Sequence, residues 1–240
     1  MTSEVNKQRV PSTRPATRTT RAAEWLIPAG LLLLSIVPVL AGAVRLVELG
    51  SDAPVTASNA RFFAAPLPVV LHILSVMIYS MLGAFQFAPG FRRRHARWHR
   101  LAGRVLIPAG LVAALSGLWM TLFYPWPVGD GVVLFGLRLC FGSAMLVAIL
   151  AGVNALRRRN FAQHGNWMMR GYAIGMGAGT QVITTLFWLL IFGQPTELSR
   201  AVLMGAGWVI NLAVAEWIIR RHTGKARRSA RLVAAPVQAS

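Results

Sequence analysis

The chain has 240 residues, is 55% hydrophobic, has only 13% charged residues and still carries a formal net charge of +18. A soluble domain is ordinarily less apolar and more charged. A nucleic-acid-binding domain, the other strongly basic class, would not contain apolar runs of membrane length, roughly 20 residues each. The single cysteine, Cys140, lies inside such a run. It excludes a disulfide framework or thiol pair within one chain and reads as a small packing residue.

In chain order, residues 1–24 are rich in Arg, Thr, Ser and Pro and offer little to bury, so they read as a disordered basic tail. Six apolar segments follow, at about 25–48, 67–89, 101–124, 132–155, 167–193 and 199–219. They predict an all-α bundle of six transmembrane helices forming one membrane domain over 25–220. Residues 221–240 turn basic and then small, as a second loose tail. Ala41-Gly42-Ala43 has the spacing of a signal-peptide cleavage site, but the apolar run around it is longer than a signal core, so an uncleaved first helix is expected. Pro28, Pro38 and Pro108 fall inside predicted helices as candidate kinks.

The charges orient the bundle. Of the 25 basic residues, only Arg45, Arg61, Arg138 and Arg200 lie away from the two tails and the second–third and fourth–fifth connections. The opposite connections hold Glu48, Asp52, Asp130 and Glu197. The positive-inside bias therefore predicts both termini in the cytoplasm, with the cytoplasmic membrane as the expected location. Trp25, Trp98, Trp126, Trp167 and Trp217 sit near helix ends, as interface anchors do. The arginine runs need no nucleic-acid partner; they set topology and can touch anionic lipid head groups.

Two stretches echo each other. Arg92-Arg93-Arg94 precedes His99 and Arg104, and Arg157-Arg158-Arg159 precedes His164 and Arg170. Leu26-Ile27-Pro28-Ala29-Gly30-Leu31 is likewise repeated at Leu106-Ile107-Pro108-Ala109-Gly110-Leu111. Duplicated helix pairs produce such echoes, and so does chance in apolar sequence.

Ionisable groups at membrane depth are costly and are candidates for function. Arg138 lies about seven residues into the fourth helix, roughly 10 Å from its outer end. His72 stands at a comparable depth on the same side, with Glu48 and Asp52 near that level. One reading is an outer polar pocket in which an unpaired Arg138 binds an anionic group; the other is an arginine that snorkels to the interface. On the inner side stand Gln86, His99, Arg104, His164, Arg170 and Glu216. Glu216 either pairs with Arg220 along its own helix or crosses to Arg104 or Arg170. His99 and His164 both open helices at the inner side, and two such imidazoles are the axial ligands a b-type haem requires. The alternative is a pair of interfacial histidines bonded to carbonyls or lipid. No histidine–carboxylate cluster for a bare metal ion is present. Gly171, Gly175 and Gly179 form a small-residue stripe suited to close helix packing, and offer a homo-oligomer contact. No catalytic motif for an ATPase, protease or hydrolase is found, and no catalytic residue is assigned.

His72 with Gly83-Ala84-Phe85-Gln86-Phe87, then His99-Arg100 with Gly103-Arg104, then His164 with Trp167-Met168-Met169-Arg170 and Tyr172, resemble domain-of-unknown-function family 2306, bacterial multi-pass membrane proteins. The likeness covers about residues 67–185. It departs at Val105-Leu106, where the family pattern implies an aromatic, and at Thr180-Gln181, where it implies another basic residue. The resemblance implies architecture and candidate positions, not an activity. The expected function is thus a multi-pass membrane protein without assigned chemistry. Its alternatives are a haem-b electron carrier through His99 and His164, and a small-molecule or ion binder or transporter using His72, Gln86, Arg138, Arg104 and Arg170.

Overall fold

The computed structural model describes residues 21–234, with side chains over 25–224 apart from 89 and 93. The portions of the two expected tails in 1–20 and 235–240 lie outside the described residues. Every regular element described is helical: α1 (Arg21–Leu49), α2 (Ala60–Ala64), α3 (Pro66–Ala84), a 3-10 turn (Phe85–Phe87), α4 (Pro89–Arg94), α5 (Ala96–Phe123), α6 (Val132–Arg157), α7 (Phe161–Gly175), α8 (Gly177–Phe192) and α9 (Glu197–Ala234). Five helices are long and apolar enough to cross a membrane, and α7–α8, bent by 40°, adds a sixth span when counted as one. The chain is a helical membrane bundle.

The surface follows from the solvent. Leu26, Val47, Leu67 and Leu190 are each more than 60% exposed, whereas the buried set is dominated by alanines, serines and Tyr79 and Tyr172. Large aliphatic side chains facing outward and small residues inside are what hydrocarbon selects, because lipid tails supply no hydrophobic drive between helices. Close backbone approach then holds the bundle together. Gly110, Gly171 and Gly175 all stand against Tyr79, and Gly83 stands against the ring of Tyr172. The Tyr172 hydroxyl donates to the Ser80 carbonyl at 2.7 Å.

One expectation changes here. The fifth span is not one straight helix. It breaks at Met176, between Gly175 and Gly177, and a Cβ at Gly177 would lie 2.3 Å from Trp208. Glycine on both sides removes the steric cost of the bend. The glycine stripe is also used within the protomer. Gly171 packs on Ile149, Gly175 on Tyr79 and Met145, and Gly179 on the backbone oxygen of Leu34 in α1. These close approaches are intramolecular. α9 continues as helix to Ala234, beyond the point where the apolar run ends.

Glu216 pairs across helices. Its carboxylate accepts from Arg170 Nε and, at 3.1 Å, from Arg170 Nη2. Arg170 also lies 4.7 Å over the Trp167 ring. Of the two pairings open in the sequence, this is the one across helices, with Arg170 and not with Arg220: two bonds to one carboxylate fix a guanidinium better than a flexible neighbour does. Both partners are partly exposed, so Glu216→Gln is expected to cost about 1 kcal/mol. A double-mutant cycle with Arg170→Gln in thermal unfolding measures the coupling, and a coupling of zero would contradict the pairing.

Candidate functional site

The site lies at the end of the bundle opposite the arginine runs. A cavity of about 380 Å³ runs inward from the α5–α6 connection. Its mouth is lined by Arg61, Pro125, Trp126, Asp130 and Arg138, its middle by His72, Gly117 and Thr121, and its floor by Tyr79, Met145, Gly175, Gln181 and Trp208. Along α6 it reaches from Gly131 to Met145, roughly 20 Å at helical rise. That volume is in the range of small-ligand pockets, roughly 300–1,000 Å³.

The mouth is built on one carboxylate. The Asp130 side chain is 2% exposed. It accepts from Arg138 Nη1 at 2.5 Å and from Arg200 Nε at 2.7 Å. Arg138 is therefore paired, which corrects the expectation of an unpaired arginine: the loop before α6 folds back so that Asp130 meets a side chain eight residues on. Glu197 packs beside this loop, against Gly131. Arg61, from the short helix α2, lines the same mouth with no carboxylate bonded to it among the described residues, and rests 4.6 Å over the Phe62 ring. Burial pushes its guanidinium below the ordinary arginine value, against the opposing pull of Asp130. Arg45, which bonds Glu48, lies 4.6 Å from the same Phe62 ring. Glu48 also accepts from Asn59 Nδ2 at 2.5 Å, which fixes the loop carrying α2. Counting Arg61, Arg138 and Arg200 against Asp130, the mouth favours anions even with Glu197 on its rim.

Deeper in, His72 is held by its Nδ1, 3.0 Å from the Ala113 carbonyl and 3.2 Å from Ser116 Oγ. Ser116 donates its own hydrogen to Val112. Both neighbours of Nδ1 thus act as acceptors, so the proton is assigned to Nδ1 and the lone pair to Nε2. At the floor, Gln181 Nε2 donates to the Met204 carbonyl at 2.9 Å.

The structure brings His72 and Arg138 into one cavity. Gln86, Arg104 and Arg170 do not line it. Arg170 is engaged with Glu216, and Arg104 is exposed. Gln86 lies in the turn after α3, and both polar atoms of its amide are buried without a partner. His99 and His164 are outside the cavity too. His164 Nδ1 is 2.9 Å from the Gly152 carbonyl, His99 Nδ1 is buried without a partner, and the two rings are within electrostatic reach of each other.

Arg61, Asp130, Tyr79, Gln181 and Trp208 are site residues that the sequence reading did not select. Arg61 and Asp130 carried a signal, as charges at the end that is otherwise poor in arginine. Gln181 stood out only as a departure from a basic position. Tyr79 and Trp208 looked like any aromatic in an apolar run.

No curated protein and no solved structure matches the chain. A family model described as a predicted membrane protein, DUF2306, matches residues 69–219, more than half of the chain and all of the cavity lining except Arg61 and Phe62 of α2. The chain belongs to the DUF2306 family of predicted membrane proteins.

Proposed function

We propose that the protein binds a small amphipathic anion in this cavity, entering from the end of the bundle opposite the arginine runs. One observation carries the reading: the mouth has an excess of guanidinium, and the walls below it are mainly apolar. The anionic group would rest at Arg61 and Arg138 and the apolar body among the helices, which is the division of labour in most ligand sites. Arg61 is the free donor, because Asp130 already engages Arg138 and Arg200. We place the arginine-rich end in a bacterial cytoplasm and the cavity mouth on the other side, from the charge bias of the loops.

Titrating the full chain in neutral-lipid nanodiscs with dodecanoate, against empty discs, tests the binding. Saturable uptake is expected, weakened about tenfold or more by Arg61→Gln, the worth of one charge-assisted hydrogen bond. Uptake no greater than partition into empty discs ends the proposal. For orientation, Val128→Cys in a Cys140→Ser background should react with an impermeant maleimide added outside intact cells. Labelling only after lysis would reverse the placement.

A second reading, a haem clasped by His99 and His164, is supported by the buried unpartnered atoms of Gln86 and His99 at the arginine-rich end. It predicts a Soret band that His99→Ala and His164→Ala abolish and His72→Ala does not.

A further inference from the structure

Four features of the cavity, taken together, specify its ligand more narrowly than charge and shape alone. The first is the preparation of His72. An imidazole whose Nδ1–H is tied to a backbone carbonyl presents Nε2 as a fixed, more basic donor, the arrangement found at metal-ligating histidines. Gly117 holds that orientation open: a Cβ there would lie 3.2 Å from His72 Cε1.

The second is the scarcity of other donors. Among the described residues there is no group of three His, Cys, Asp or Glu that could hold a metal ion. A single histidine suffices only for a metal that brings its own equatorial ligands. The third is the wall. Ala113, Ala114 and Gly117 of α5, Gly142 of α6, and Gly175 and Ala178 at the α7–α8 bend all line the cavity. Gly117, Gly142 and Gly175 let the side chains of His72, Leu118 and Tyr79 seat close against the helices, which keeps those larger side chains from closing the cavity.

The fourth is polarity along the cavity axis. Its lining guanidiniums are all at the mouth, while Met145 and Trp208 lie at the floor. That suits a ligand whose carboxylates share one edge.

We propose that the cavity is a porphyrin site, in which His72 Nε2 ligates a haem iron and Arg61 and Arg138 meet the propionate carboxylates. The inference rests on the amphipathic-anion reading above and names its ligand class. Gln181 of α8 lines the same cavity as the α3 histidine.

The test is a titration of the purified full chain in neutral nanodiscs with haemin, with empty discs as background, followed by the Soret band. A saturable one-to-one shift is expected. His72→Ala should weaken haemin at least tenfold and alter its spectrum, while leaving metal-free protoporphyrin IX binding unchanged. Arg61→Gln should weaken both porphyrins together. That split separates ligation from anion binding. Should His72→Ala fail to fold, Ala178→Phe fills the cavity from an exposed lining position and is expected to abolish both. The proposal is overturned by a shift equal to that of empty discs. It is equally overturned by one that ignores both His72→Ala and Ala178→Phe, or by one lost on His99→Ala or His164→Ala instead. If dodecanoate binds and haemin does not, the porphyrin assignment alone falls; if neither binds, both readings fall.

Discussion

Replacing Asp130 by asparagine is expected to destabilise the protein by about 3 kcal/mol, the usual scale for removing one partner from a buried ion pair. For a chain of this size that corresponds to a fall in melting temperature of roughly 6–12 °C. The physical reason is concentration of like charge. Asp130 is 2% exposed and is the carboxylate bonded to both Arg138 and Arg200, while Arg61 shares the same mouth. Asparagine keeps the shape and one acceptor but removes the countercharge, so the guanidiniums repel one another across the mouth. The same change should tighten dodecanoate binding several-fold, because a competing anion leaves the mouth. Stability falling while anion affinity rises is the signature. If both are unchanged, the Asp130 cluster does not organise the mouth. Combining Asp130→Asn with Arg138→Gln should cost less than the sum of the two single changes, since the second removes one of the stranded charges.

The second large effect separates two glycines in facing helices. A Cβ at Gly179 would lie 2.3 Å from the backbone oxygen of Leu34 and 2.6 Å from its Cγ, whereas a Cβ at Gly30 meets nothing within 4 Å. A backbone oxygen cannot rotate aside as a side-chain tip can, so Gly179→Ala must push α8 away from α1. The expected loss is about 1–3 kcal/mol. Gly30→Ala should instead stabilise by up to about 1 kcal/mol, because it removes glycine's entropic penalty inside a helix at no steric cost. Thermal unfolding of the two variants side by side decides it. Equal effects would mean that α1 and α8 do not approach as closely as described.

The α1–α8 contact also bears on the cavity. Gly179 follows the bend at Met176, and Ala178 and Gln181 line the floor. Moving α8 would reposition both, so Gly179→Ala is expected to weaken dodecanoate binding while Gly30→Ala leaves it unchanged.

Much of the architecture was legible in the sequence. Apolar runs near 20 residues can only be satisfied as helices in a solvent without hydrogen-bonding partners. Segment positions therefore follow from composition alone, and α1, α3, α5, α6 and α9 each overlap a predicted run. Depth within a helix is also legible by counting, so Arg138 and His72 were recognisable as one level. Their shared cavity depends on which faces α3, α5 and α6 turn toward each other, which counting along one helix does not give.

What counting did not supply was partnership. Arg138 looked unpaired because its partner lies in a loop, and loop geometry has no periodicity to read. Glu216 had a neighbour one turn away, yet the bonded partner is Arg170 on α7. The choice depends on how α7 and α9 are rotated against each other, which no single helix encodes. The glycine stripe was visible as spacing, but whether it faces a second copy or this chain depends on the bend at Met176. The sequence by itself determined that the chain is a helical membrane bundle with a cationic and an opposite end. Only the tertiary structure decided that Arg61, from a five-residue helix in a loop, joins Arg138 over an apolar cavity with His72 in its wall. Burial pattern is a local property of residue type, whereas a site is a convergence of separate helices, fixed by packing.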